Sequence, residues 1–144
     1  MQIQGSVALV TGANRGIGKA IAEELLVRGA SKVYAAVRDP ATVTDPRLVP
    51  VAFDVTDAAG VAAAARELDD VQIVVNNAGI GRGATALAAD LDDARAELET
   101  NYLGVVSTTQ AFAPVLAANG GGAFVNVLSV ASWIGSPGGR CRRC

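Results

Sequence analysis

Short apolar runs alternate along this chain with stretches of helical spacing. The first run, residues 7–10, stops at Thr11-Gly12, and Ile17, Ile21 and Leu25 then recur at helical intervals over 17–28. On the opposite face of that predicted helix Lys19 stands four residues from Glu23 and Glu24 four from Arg28, and Gly29 closes it, so the opening unit reads as strand, glycine turn, helix. Residues 32–37 are rich in Val, Tyr and Ala, while 48–53 and 71–75 are continuous apolar runs of strand length. Runs of this kind predict strands buried on both faces. Thr56 is placed to cap a helix reaching about Glu67, whose alanines form a thin face suited to lying close on a sheet, although Gly60 weakens it. Two more helices are predicted over 90–100 and 103–118, the second kinked by Pro114, and a fifth strand over 123–128. Five strands alternating with helices predict a doubly wound α/β fold, with a mostly parallel sheet covered by helices on both faces. Pro40, Pro46 and Pro50 mark 41–50 as a surface loop rather than a domain junction.

At 144 residues, 51% hydrophobic and 18% charged, the chain has enough apolar side chains for one sizeable core. A net charge of −2 provides no basic field for nucleic acid. Histidine is absent, which excludes Ser-His-Asp and Cys-His relays within the chain and removes the commonest metal ligand, so no metal site is expected. Residues 100–139 lack charged side chains, yet Asn119, Gly120, Gly121, Gly122 and Asn126 interrupt the stretch. It reads as protein interior, not as a membrane span. No basic region followed by an apolar run opens the chain, so a cytoplasmic location is the expectation.

Thr11-Gly12-Ala13-Asn14-Arg15-Gly16-Ile17-Gly18 follows the first strand and opens the first helix, the context that a dinucleotide-binding turn requires. Gly12 would let the chain turn sharply, Gly16 would let the backbone approach a pyrophosphate, and Gly18 would let the helix lie close on the strand. The helix mouth offers unpaired N–H groups to phosphate. Candidate cofactor contacts are therefore Gly12, Asn14, Arg15, Gly16, Ile17 and Gly18 on a Rossmann-like scaffold.

Together with Asp54-Val55, Asn76-Asn77-Ala78-Gly79, Asn101 and Asn126-Val127-Leu128-Ser129, this turn resembles the short-chain dehydrogenase/reductase family in order and spacing. The resemblance runs from about Ser6 to Pro137, roughly the first half or more of a family member. It implies that Asp54 accepts from an adenine amino group and that the Val55 backbone touches adenine. Asn77, Ala78 and Gly79 would line the ribose and nicotinamide side, whereas Asn76 is expected to hold the sheet together through backbone hydrogen bonds. An acid about twenty residues beyond the glycine turn would grip a ribose 2′-hydroxyl, whereas arginine pairs with a 2′-phosphate. Val37 and Arg38 occupy that strand end, and Arg15 adds a second cation, so NADP(H) is expected over NAD(H).

For catalysis the resemblance implies Ser129 as the group that hydrogen-bonds a substrate oxygen and Asn101 as part of a proton relay. A tyrosine acid/base with a lysine four residues later would complete the set, because a phenol of pKa about 10 needs a neighbouring ammonium to exchange protons at neutral pH. About a dozen residues past Ser129 this chain has Cys141 to Cys144 instead, and its only tyrosines and lysines are Tyr34, Tyr102, Lys19 and Lys32. Residues 1–139 are thus expected to form an incomplete dinucleotide-binding domain, with 140–144 an atypical Arg/Cys tail left by truncation or a frame shift before the Tyr-x-x-x-Lys motif. Strand 123–128 would then be a sheet edge and helix 103–116 would lose cover, favouring homo-oligomerisation or nonspecific association. The resulting expectation is the NADP(H)-binding portion of an oxidoreductase acting on a small carbonyl or alcohol, impaired in turnover. A non-enzymatic NADP(H)-binding module and a gene fragment without function are the alternatives.

Overall fold

The computed structural model describes residues 2–82 and 90–130. Five strands, β1 (Val7–Thr11), β2 (Lys32–Val37), β3 (Val49–Ala52), β4 (Ile73–Asn76) and β5 (Ala123–Asn126), form one parallel sheet in the order β3-β2-β1-β4-β5. The helices are α1 (Gly16–Val27), α2 (Ala58–Glu67), α3 (Leu91–Leu98) and α4 (Gly104–Ala118), with a 3-10 turn at Pro40–Thr42 and a π turn at Glu99–Leu103 joining α3 to α4. This is the doubly wound Rossmann-like architecture that the alternating pattern predicts.

Strand alternation divides the core into two layers. Leu9, Tyr34, Ala36 and Val74 face Val61, Ala64 and Ala65 of α2 and Phe112 and Leu116 of α4. Ala8, Val10, Val33, Ala35, Ile73 and Val75 face Ala22 and Leu25 of α1. Phe112 is fully buried, 6.4 Å from the Phe53 ring, a burial worth about 1.5–3 kcal/mol. The chain runs from β1 to β2 on one side and returns to β4 on the other, so strand order reverses at β1. In open α/β sheets the crevice outside the carboxyl ends of the strands at that point is where ligands bind.

Several local expectations are corrected. The 48–53 run is a strand, but not one buried on both faces: β3 is an edge, and Val49, Pro50 and Ala52 are exposed. An edge strand tolerates Pro50, which has no N–H to give. In α1 the buried residues are Gly18, Ala22 and Leu25, while Ile17 is 64% exposed. Gly29 ends α1 in a Schellman arrangement, with φ +88°, Gly29 N–H donating to Leu26 and Ala30 N–H to Leu25. Asp57, not Thr56, caps α2, its carboxylate accepting from the Gly60 N–H at 3.0 Å. Thr56 is instead engaged by Asp54. Among the described residues the outermost strand on the other side is β5, where Val125 is exposed. Trp133, Pro137 and the tail with Cys141 and Cys144 lie outside the described residues.

Candidate functional site

Thr11, the polar residue that ends the apolar run of β1, organises the switch point. Its buried hydroxyl accepts the N–H groups of Asn77 and Ala78, both at 2.9 Å, and donates to the Val75 carbonyl at 3.3 Å. The Asn77 side-chain amide donates back to the Thr11 carbonyl at 2.9 Å. These four bonds tie the end of β1 to the end of β4. Sequence reasoning assigned Thr11 only to the turn motif; a polar residue closing an otherwise apolar strand was the available signal.

On this tie the glycine turn is built. Gly12 has φ +69°, and a β-carbon there would stand 3.1 Å from the Ala78 Cα. Gly18 is packed tighter: a β-carbon would run into the Gly12 carbonyl oxygen and the Asn77 amide. Gly16 differs, with φ +56° and nothing within 4 Å of its would-be β-carbon, so the main chain there faces open space. Arg15 occupies the N-cap of α1 without a capping side-chain bond, leaving the first-turn N–H groups uncovered by the chain. Arg15, Gly16 and Ile17 are exposed and Asn14 is half-buried.

Around this mouth stand the other predicted residues. Arg38, directly after β2, is exposed and has no side-chain hydrogen bond or ion pair among the described residues. Asp54, beyond β3, uses Oδ1 to accept the Thr56 N–H at 2.9 Å and hydroxyl at 2.8 Å. Those bonds, aided by the Arg38 charge, hold its carboxyl below the ordinary range, and Oδ2 accepts no hydrogen bond among the described residues. Val55 packs on the start of α4, where a β-carbon on Gly104 would lie 2.9 Å from its side chain, which makes Gly104 a close-approach position that sequence reasoning missed. Asn76 is buried in β4 and donates to the Asn126 side chain of β5 at 2.9 Å, so it holds the sheet together through its side chain.

Gly79 leads toward the π turn. Asn101 there accepts the Ile80 N–H at 2.9 Å and donates to the Ile80 carbonyl at 2.8 Å. Arg82 adds a second tie, its N–H to Glu97 at 2.6 Å and its guanidinium to Asp93 at 3.0 Å. Ser129, half-buried, stands three residues past β5 at the same carboxyl edge. The fold therefore brings Gly12, Gly18, Asn77 and Ala78 into contact, Gly79 against Asn101, and Arg38 within electrostatic reach of Asp54.

A tyrosine–lysine contact does exist, but at the opposite edge. At the start of β2 the Lys32 ammonium lies 3.1 Å from the Tyr34 hydroxyl and 2.6 Å from Asp70, whose carboxylate also accepts the Tyr34 hydroxyl at 3.1 Å. Asp70 first, then Tyr34, hold the lysine protonated well above its usual range. A sheet length separates this trio from the glycine turn. Among the described residues there is no cluster of three or more metal-ligating side chains, and no helix is long and apolar enough to cross a membrane.

Open backbone at Gly16, uncapped N–H groups, and two arginines with no hydrogen bond or ion pair among the described residues suit a phosphate-bearing dinucleotide. The family model for short chain dehydrogenases matches residues 6–141, and the chain belongs to that family. It is 37% identical over 140 residues to the oxidoreductase BOA17 of Botryotinia fuckeliana, covering 90% of this chain and 51% of that protein. A 3-oxoacyl-(acyl-carrier-protein) reductase of Synechocystis is 33% identical over 150 residues, covering 94% of this chain and 60% of that one. The crystal structure of a short chain dehydrogenase from Burkholderia cenocepacia in complex with NADP superposes with a TM-score of 0.90 at 48% identity, covering 96% of this chain and 59% of that one. The chain thus spans about half to three fifths of the length of these relatives.

Proposed function

We propose that these 144 residues form the NADP(H)-binding part of an oxidoreductase that interconverts a small carbonyl compound and its alcohol. The observation that carries this reading is the pair of unpaired cations, Arg15 and Arg38, beside open backbone at Gly16. Gly12, Asn14, Gly16, Ile17 and Gly18 would surround the pyrophosphate, with the α1 mouth donating to it. Arg15 and Arg38 would pair with the 2′-phosphate. Asp54 has Oδ2 to accept an adenine amino group, and Val55 would present backbone to the ring. Asn77, Ala78 and Gly79 would follow the ribose toward the nicotinamide. The relative solved with NADP supports this choice of nucleotide.

Bound NADPH supplies hydride to a carbonyl carbon. Ser129 would orient the carbonyl oxygen, and Asn101 holds the Ile80 backbone beside Gly79. No tyrosine stands four residues before a lysine within these 144 residues, so the alkoxide formed on hydride arrival would lack a proton donor. Turnover by this chain alone is therefore low. The uncharged outer flank of α4, with Leu103, Gln110, Ala113 and Pro114 exposed, favours a second reading as a nucleotide-binding module that docks on another protein.

Titration of the purified chain with NADPH and NADH, followed by nicotinamide fluorescence and assayed with generic ketones, tests the proposal. NADPH binding at least about tenfold tighter than NADH, with negligible ketone-dependent oxidation, is the expected result. Equal affinities would remove the 2′-phosphate assignment, and robust turnover would remove the catalytic half of the reading.

A further inference from the structure

Arg38 is free at its side chain but fixed at its backbone on both sides. Before it, Val37 is the buried last residue of β2, and its carbonyl accepts the Phe53 N–H at 2.8 Å. After it, Asp39 caps the 3-10 turn Pro40–Thr42, its Oδ1 accepting the Ala41 N–H at 3.0 Å while its carbonyl accepts the Thr42 hydroxyl at 2.6 Å and the Thr42 N–H at 3.1 Å. Pro40, with φ held by its ring, starts the turn. Asp39 is also the acid next in sequence to the strand end where an acidic side chain would grip a ribose 2′-hydroxyl, and its carboxylate is turned forward along its own chain.

We propose that Asp39 is a positioning residue for nucleotide choice: by capping the turn at Pro40–Thr42 it fixes the strand exit that carries Arg38 and keeps its own carboxylate engaged away from a ribose. This rests on the NADP(H) reading above. A guanidinium on a fixed backbone loses less freedom when it engages a phosphate, and the gain applies only to the nucleotide that has that phosphate. NADH, which has none, is indifferent to it.

Two variants separate cap from charge. Asp39→Asn keeps an acceptor oxygen for the Ala41 N–H and removes the charge; Asp39→Ala removes both. Fluorescence titration of the whole chain with NADPH and with NADH is the readout. We expect Asp39→Ala to weaken NADPH about fivefold while NADH stays within about twofold, and Asp39→Asn to bind NADPH at least as tightly as the parent. Unchanged NADH binding doubles as the control for folding. The inference is overturned if Asp39→Ala keeps the parent NADPH/NADH ratio, if both nucleotides weaken together, or if Asp39→Asn fails as badly as Asp39→Ala. A parent chain that does not discriminate the nucleotides would overturn the NADP(H) reading as well, whereas a discriminating parent with an unaffected Asp39→Ala overturns this inference alone.

Discussion

At the amino edge of the sheet the Lys32 ammonium is held by Asp70 and Tyr34, its charge answered by a neighbouring carboxylate. At the carboxyl edge Arg15 and Arg38 stand in solvent beside uncapped helix N–H groups and a glycine with empty space before it. Both edges carry cations on parallel strands of one sheet, and the difference lies in what answers them. Half-exposed ion pairs contribute little to stability, so the amino edge is a modest fastening. Cations held by no hydrogen bond or ion pair fasten the fold little and are available to a ligand. The same contrast holds for main chain: Gly18 is packed shut against Gly12 and Asn77, whereas Gly16 is open.

The sharpest way to break this contrast is Gly18→Val. A β-branched side chain there meets the Gly12 carbonyl and the Asn77 amide, so α1 must move off β1. We expect a loss of about 1–3 kcal/mol in denaturant unfolding and at least about tenfold weaker NADPH binding. Thr11→Val comes next. It leaves the half-buried Asn77 and Ala78 N–H groups without the Thr11 acceptor, costing about 1–2 kcal/mol, read as a shift of the urea midpoint. NADPH binding should weaken less than in Gly18→Val, because the Asn77 side-chain amide still bonds the Thr11 carbonyl and α1 need not move off β1.

At the other edge Asp70→Asn should leave NADPH affinity within about twofold, since it acts a sheet length away. A larger change would show that the two edges are not independent. Lys32 has its proton affinity raised in the folded chain, so its contribution is present below the ordinary lysine value of about 10 and is lost as pH rises beyond it. Asp70→Asn should flatten that alkaline loss. The smallest effect is expected at Asp45, whose carboxyl the Arg47 guanidinium and N–H push down to about 2. A depressed acid stabilises the fold above its unfolded value of about 4 and loses that contribution as pH falls toward 2. Acid unfolding of Asp45→Asn should accordingly be less steep between about pH 4 and 2 than that of the parent.

Local signals were strong in the sequence wherever partners are close along the chain. The glycine turn, α1 with its Lys19–Glu23 and Arg28–Glu24 pairs, and the five strands were all readable from spacing. What was not readable depends on distant partners. The run 48–53 looks like a central strand, and only the strand order makes β3 an edge. Ile17 fits a helical apolar stripe, but the close approach at Gly18 turns the buried face toward Ala22 and Leu25. Two helices were expected with a break near residue 101, and a continuous π turn is found, where Asn101 bonds a backbone 21 residues earlier. Thr11 reaches partners 66 and 67 residues away, beyond any periodicity.

Amide chemical-shift mapping of the chain with NADP added tests the central claim most directly. The largest shifts are predicted at residues 12–18, 38, 54–55 and 77–79, with Lys32, Tyr34 and Asp70 unmoved. Shifts centred on that amino edge instead, or none at saturating nucleotide, would contradict it.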